Sequence, residues 1–487
     1  MDAPQDGVDP VDSLVKLEHA LIYLRKKGAL ISIVNLPDII MDVYVKTSLT
    51  NSELTKLFEN ARATSRLRVE DIETHLGGHA AITTKAQLAL LSPHDPVCVS
   101  IYGAVNEKDF DYLTKELTDA SCKLPDIHVH KCAGKRSISI PVITCDGDFI
   151  ITGSTPQLSL DSLTPEELAK LEQADCIGLV SLRAQIAGEL LAAIRDGRLA
   201  PRGVILADAS FGTDEKTNQR VLENLRMLSE IVKPRTDSPV LLSFNEHEAR
   251  GFAKHLTKLE LDAHQAAQKI FEEYGMPILL HTHGGCTLIG ERQEPFVPAL
   301  EITPKIPFGT GDTLNGIVIL SMLIQKKLAL LKAPFELSLV DCLLIGTIAA
   351  AFKAVHDRFG SVRDLYDYIL NSGVHFKKSS ELAIPLEESL SRARAAATAA
   401  AETPSAVLSY FETSRAECIA AMRASELHPT SAPYIECALG HSDWLVRAEA
   451  VHILKKSSVG RAPTRLGPSP EARPNGRLRM TAAAPLL

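Results

Sequence analysis

The run PFGTGDTLNGIVILSMLI, residues 307–324, carries the clearest chemistry in the chain. Two glycines bracket Thr310, Asp312 follows at once, and an apolar helical run begins there. A Gly-x-Gly turn feeding a helix leaves several N–H groups unpaired at the positive end of the helix dipole. That makes Gly309, Thr310 and Gly311 a candidate anion hole. Asp312 would face the same anion from the first helical turn. A carboxylate beside an anion cradle repels what the cradle holds, so simple binding does not need it. A base that takes a proton from an attacking hydroxyl does. The plainer alternative is that Asp312 caps the helix and the glycines only turn the chain.

Three further segments hold chemistry-bearing side chains. Gly77-Gly78-His79 opens GGHAAITTKAQLALL, residues 77–91, and a diglycine turn admits close backbone approach to a ligand. His79 could bond a ligand hydroxyl or simply line that turn. In NEHEA, residues 245–249, Asn245 and Glu248 stand three apart where a strand-like run meets a helix-like one. An amide and a carboxylate there suit a hydrated Mg²⁺ shared with phosphate oxygens. The same pair also reads as an Asn N-cap with Glu at N3, a capping-box variant. In HTHGGC, residues 281–286, His281 and His283 form an HxH, but no nearby carboxylate or cysteine completes a metal set. A structural or nucleotide-edge role is the better reading of that pair.

Composition bounds what these residues can serve. The 487 residues include 52 Lys+Arg and 60 Asp+Glu, for a net charge of -8, with 45% hydrophobic and 23% charged residues. That excludes a largely disordered chain, a collagen-like fibre and a multi-span membrane protein. Aromatic residues are 5% with one Trp, and the acidic balance also argues against nucleic-acid binding. Nine cysteines, an odd number with no CxxC, suggest packed thiols rather than a zinc site or a disulfide framework. The N-terminal MDAPQDGVDPVDSL lacks the apolar core of a signal peptide. Apolar runs such as GIVILSML and LLIGTIAAAF fall short of the ~20 residues of a membrane span. No membrane partner is expected, and the cytoplasm follows by elimination.

The elements that must position the motifs alternate. ALISIV, PVCVSIYGAV, DCIGLVSL, GVILADAS, PVLLSFN and PILLHT read as buried strands. Between them AAITTKAQLALL, EKDFDYLTKELTDA and NQRVLENLRMLSEIV read as amphipathic helices. Such alternation predicts an α/β fold with three αβα layers around a mostly parallel sheet. Residues 127–153 break the pattern with period-2 alternation and an Asp146-Gly147 turn, predicting a small β-flap over the ligand crevice. Past about residue 375 the strand signals stop. Residues 386–402 read as helix, YFETSRAECIAAMRA continues it, and residues 431–456 read as one HEAT-type helix pair joined at His441-Ser442-Asp443. Trp444, Val446, Ala450 and Ile453 would form its packing face; a lone repeat must pack on the main domain or be a remnant. The expected division is therefore 1–27 as an N-terminal segment, 28–375 as the main domain and 376–456 as a helical extension. Residues 457–487, with five Arg, five Pro and one acid, are expected to be a disordered tail.

Taken in order, these segments resemble the PfkB/ribokinase family of carbohydrate kinases over about residues 28–373. LPDIIMDVYV, residues 36–45, looks like the first strand with its sugar-binding aspartate, Asp42, in a pattern closest to bacterial heptose-phosphate kinases. GGHAA is similar to the diglycine substrate motif, ILADAS to the mid-chain strand ending in aspartate, NEHE to NxxE, and GTGD to the signature GxGD. The resemblance implies ATP-dependent phosphorylation of a sugar or sugar-phosphate hydroxyl. Asp312 is then the base, Gly309 to Gly311 the anion hole, and Asp42 with Gly77, Gly78 and His79 the acceptor site. Thr282 and Gly285 would touch the nucleotide, and Asn245 and Glu248 would serve Mg²⁺. It also implies a homodimer through the flap. Ile306 stands where the family has aspartate, Pro37 and Thr282 where it has glycine. Those departures leave two alternatives: a non-catalytic sugar or nucleotide sensor, and a nucleoside- or vitamin-type alcohol kinase.

Overall fold

The structure is a computed structural model. It describes residues 9–59, 71–119, 123–133, 136–145, 148–152, 156–211, 215–232, 240–290, 294–378, 383–411, 413–426, 431–441 and 443–459. Thirteen strands matter here: β1 (Ile31–Leu36), β2 (Ile40–Lys46), β3 (Asp71–Gly77), β4 (Val97–Asn106), β5 (Asp126–Cys132), β6 (Ile138–Ile143), β7 (Asp148–Thr152), β8 (Cys176–Leu179), β9 (Val204–Asp208), β10 (Val240–Asn245), β11 (Ile278–His281), β12 (Gly285–Ile289) and β13 (Phe296–Pro298). Nine of them form one sheet in the order β13-β12-β11-β10-β9-β8-β1-β4-β5. From β11 through to β5 every pairing is parallel; β12 and β13 close the far edge antiparallel. Buried residues on opposite sheet faces feed two large apolar cores, which makes three αβα layers. The six strands read from β-branched runs all lie in this sheet, because a strand covered on both faces is apolar throughout.

The flap is built differently from its sequence reading. It is a four-stranded sheet, β3-β2-β6-β7, with β2/β3 and β6/β7 antiparallel and β2/β6 parallel. Residues 126–132 instead form β5, the edge strand of the main sheet, so only the second part of the expected hairpin belongs to the flap. Asp146-Gly147 lies outside the described residues. The stretch read as one first strand also divides: β1 ends at Leu36, and Asp42 belongs to β2 in the flap. Pro37 offers no N–H to a sheet ladder, which is a local reason to leave the main sheet there.

The helix Thr310–Leu330 and the helix Leu339–His356 pack together at the centre of one core. Both are long and apolar enough to cross a membrane by length and composition alone, contrary to the sequence expectation. Most of each is buried inside this fold, and that burial accounts for the apolarity.

The chain ends are helical and share that core. Helix Pro10–Lys27, capped by Asp9, packs on Leu339–His356 and on Val362–Asn371, and touches Ala383–Glu402 and Arg415–Ser425. The C-terminal part comprises Ala383–Glu402, a 3-10 turn Pro404–Tyr410, then Arg415–Ser425, Ala432–Cys437 and Trp444–Val459. Val446, Ala450 and Ile453 of the expected packing face are fully buried, whereas the Trp444 side chain and residues 460–487 lie outside the described residues. Helix Trp444–Val459 packs chiefly on Arg415–Ser425 and Ala432–Cys437 and touches the N-terminal helix Pro10–Lys27.

Candidate active site

The GTGD segment opens helix Thr310–Leu330 as expected. Gly309 is its N-cap with φ 74°, and no side chain caps the helix, so its first N–H groups face the crevice. Thr310 Oγ1 donates instead to the Pro307 carbonyl at 2.9 Å, tightening the turn. Behind it, Lys353 of helix Leu339–His356 is 3% exposed and donates to the Phe308 carbonyl. Nothing in the sequence marked Lys353, because a lysine in an apolar helix shows its purpose only when its partner across space is known. Ile306 is fully buried, and its N–H bonds the Ala354 carbonyl, so that position serves packing.

A polar cleft of about 320 Å³ lies on one side of this turn, lined among others by His79, Asp208, Asn245, Glu248, His281 and Asp312. On the other side is a cavity of about 270 Å³, with walls that include Ala299, Leu300, Ile302, Ala350, Ala351 and Ala354. The two share His281, Thr282, His283, Thr310 and Gly311 as a common wall. Gly311 is required there, since a Cβ would come within 2.8 Å of the His281 ring. Burial pushes the His281 pKa down to about 4, so its imidazole is neutral at ordinary pH.

Thr282 folds the β11–β12 turn. Its hydroxyl donates to the Gly285 carbonyl at 3.1 Å and accepts from the Gly284 N–H at 3.1 Å. Asn245 and Glu248 form a full capping box on helix Glu246–Thr257, each side chain accepting the other's backbone N–H at 2.9 Å. Burial, then the charge of Asp208, pushes the Glu248 carboxyl up to about 8.

Asp208 ends β9 and is buried. Its Oδ1 accepts from the Ser210 N–H and hydroxyl, and its Oδ2 from Asn315 Nδ2, all at 3.0 Å. Ser243 Oγ donates to Asn315 Oδ1 at 2.9 Å, so this network ties the Asp312 helix to two central strands. Asn315 went unnoticed in the sequence, although it lies three residues after Asp312 on the same helix face.

The diglycine turn is shaped by contact. A Cβ on Gly77 would overlap the Asp42 carboxylate, and one on Gly78, at φ 89°, would lie 2.5 Å from the Asp38 carbonyl. Asp42 is therefore brought against the turn, and its burial raises its carboxyl pKa to about 6. His79 meets Asp312 directly, Nδ1 to Oδ1 at 2.7 Å. The structure thus gathers the residues named from separate segments around one sheet edge. It lies where β9, β10 and β11 end, the usual ligand edge of an open parallel sheet.

No protein-family model matches the chain, and no curated protein matches its sequence. Among solved structures, it is similar to a ribokinase from Thermotoga maritima, with 14% identity and a TM-score of 0.50, over 70% of this chain and 100% of that one. The phosphofructokinase-2 from Escherichia coli, solved with substrates and products, gives 16% identity and a TM-score of 0.49, covering 70% and 99%. An Arabidopsis thaliana ribokinase solved with ribose and ATP gives 14% and 0.48, covering 69% and 97%. The main domain has the ribokinase-like fold, extended by a helical C-terminal region.

Proposed function

We propose that the protein is a carbohydrate kinase that moves the γ-phosphoryl group of ATP to a hydroxyl of a sugar or sugar phosphate. One observation carries this reading. A largely apolar cavity and an acid-lined cleft meet at a single uncapped helix N-terminus, with Asp312 on the cleft side. The apolar cavity suits a nucleoside, the open N–H groups suit its phosphates, and the cleft suits a hydroxyl-bearing acceptor. Asp42 and the Gly77-Gly78 turn would orient that acceptor from the flap. Asp312 would take the hydroxyl proton as the oxygen attacks phosphorus. The N–H groups of Gly309, Thr310 and Gly311 would stabilise the charge on the phosphoryl oxygens.

The donor set fits Mg²⁺. Glu248 has one carboxylate oxygen outside its capping box, in a cleft whose carboxylates crowd one another. Glu248 would hold the ion, in part through water, while Asn245 orients Glu248; when bound, the ion offsets phosphate charge.

The test is an ADP-release screen with Mg-ATP across sugars, sugar phosphates and nucleosides. Asp312→Asn should lower kcat by about 10²–10⁴-fold, the usual contribution of a general base, while ATP binding is kept. Near-normal turnover in that variant would overturn the reading; a cap-only role predicts about 1 kcal/mol of lost stability instead.

A further inference from the structure

His79 was read from the sequence as a contact to the acceptor, yet its nearest partner is Asp312. Its Nδ1 lies 2.7 Å from Asp312 Oδ1, and the side chain is 30% exposed. An ionised carboxylate only accepts hydrogen bonds, so Nδ1 carries a hydrogen and donates it. The ring's other nitrogen, Nε2, has no partner among the described residues, and the residue lines the cleft.

The groups facing this ring are almost all acidic. The charges of Asp38 after β1, Asp42 of β2, Asp208 of β9, Glu248 of its helix and Asp312 of the GTGD helix gather here, while Lys353, which acts on Asp42 and Asp312, bonds the Phe308 carbonyl and pairs with Asp357. His281 contributes no charge. Among the described residues that line the cleft there is no lysine or arginine. Burial alone would lower the His79 pKa, but the charge and hydrogen bond of Asp312, helped by Asp208 and Asp38, push it up to about 10.

The geometry points to His79 as a catalytic residue: an imidazolium that orients Asp312 through Nδ1–H and offers Nε2–H to an oxygen of the transferring phosphoryl group. This rests on the kinase reading above. In the step, the acceptor oxygen forms the new bond to phosphorus and the bond from phosphorus to the ADP oxygen breaks. The hydroxyl proton goes to the Asp312 carboxylate. His79 keeps both of its protons throughout, so it is a hydrogen-bonding cation and not a base. Its ring would supply, from a side chain, the cationic donor that the cleft wall otherwise lacks.

His79→Asn separates the two arms, because the Asn amide can replace Nδ1–H toward Asp312 but has nothing in the place of Nε2. A fall in kcat of about 10²–10³-fold is expected, as for loss of one donor to a developing oxyanion, together with a lower Tm because the imidazolium beside Asp312 is lost. A purely structural link between the two helices predicts the lower Tm alone, with kcat within threefold, and that result would overturn the proposal. A second arm needs no turnover. In the intact protein, ¹⁵N NMR of the His79 ring should show both nitrogens protonated at pH 7.5. Nε2 should then shift on addition of Mg²⁺ with a non-hydrolysable ATP analogue. An unshifted Nε2, or a neutral ring, would also overturn the proposal. If the wild type transfers phosphate to no acceptor, the kinase reading fails on its own, and the NMR arm still decides whether His79 binds the phosphate.

Discussion

Two clusters of buried acids in this molecule behave in opposite ways. Where the terminal helices meet, Glu18 and Glu449 surround Arg423. The Arg423 Nε lies 2.6 Å from Glu449 Oε1, its Nη2 lies 2.5 Å from Glu18, and the guanidinium stacks 4.4 Å from the Tyr366 ring. Burial alone would raise the Glu449 carboxyl. The Arg423 charge and the hydrogen bonds from His19 and Arg423 instead pull it down to about 2. In the cleft, burial and like charges push Glu248 up to about 8 and Asp42 up to about 6. The terminal cluster contains its own counter-charge and therefore needs no ligand. The cleft brings acids together with too little positive charge of its own, which costs stability and is repaid only when something cationic or proton-bearing arrives. Strained ionisation of that kind gathers at sites of chemistry.

The comparison can be broken most forcefully at Arg423. Arg423→Met leaves Glu18 and Glu449 buried without their cation, and about 3–5 kcal/mol of stability should be lost in denaturant unfolding. A loss below about 1 kcal/mol would mean that the cluster is not the closed unit described. Acid tests the same cluster more gently. Because the Glu449 pKa is lower in the folded chain than its ordinary value of 4.5, its contribution is complete above that pH. It is lost as the pH falls toward about 2. Tm should therefore drop over that window, and the drop should shrink in Arg423→Met to the part contributed by other carboxylates held low, such as Asp126, Glu167 and Asp364.

The cleft carries the opposite sign. Glu248 has a raised pKa when folded, so its ionisation costs stability as the pH rises from about 4.5 to about 8. Glu248→Gln keeps an oxygen for the capping box and removes that cost. The variant should match the wild type near pH 4.5 and gain on the order of 1 kcal/mol by pH 8, read as a Tm higher by about 1–2 °C for a chain of this length. A variant less stable than the wild type at pH 8 would show that the Glu248 charge is already compensated.

Much of the frame was legible along the chain. The central strands β1, β4, β8, β9, β10 and β11 were all readable as apolar runs, and the helix at Asp312 from its glycine turn. The flap was only half legible. β5 and β6 have similar alternation, and whether such a strand joins the main sheet or the flap depends on which neighbour has a free edge. The N-terminal helix and Lys353 were not marked at all, since their partners are hundreds of residues or a whole layer away.

What the sequence determined by itself is the inventory: which runs must be buried, where a helix can begin without a cap, and which side chains can carry a proton or a charge. Local rules suffice for these, because hydrophobic period, glycine turns and side-chain chemistry act over a few residues. What only the tertiary structure decided is which charges face one another. His79 and Asp312 are 233 residues apart in the chain yet in contact at 2.7 Å, while Arg423 and Glu18 are 405 apart and closer still. Electrostatic energy depends on distance through space and on the water excluded between groups. The same carboxylate becomes a quiet structural partner in one place and a strained, reactive one in the other.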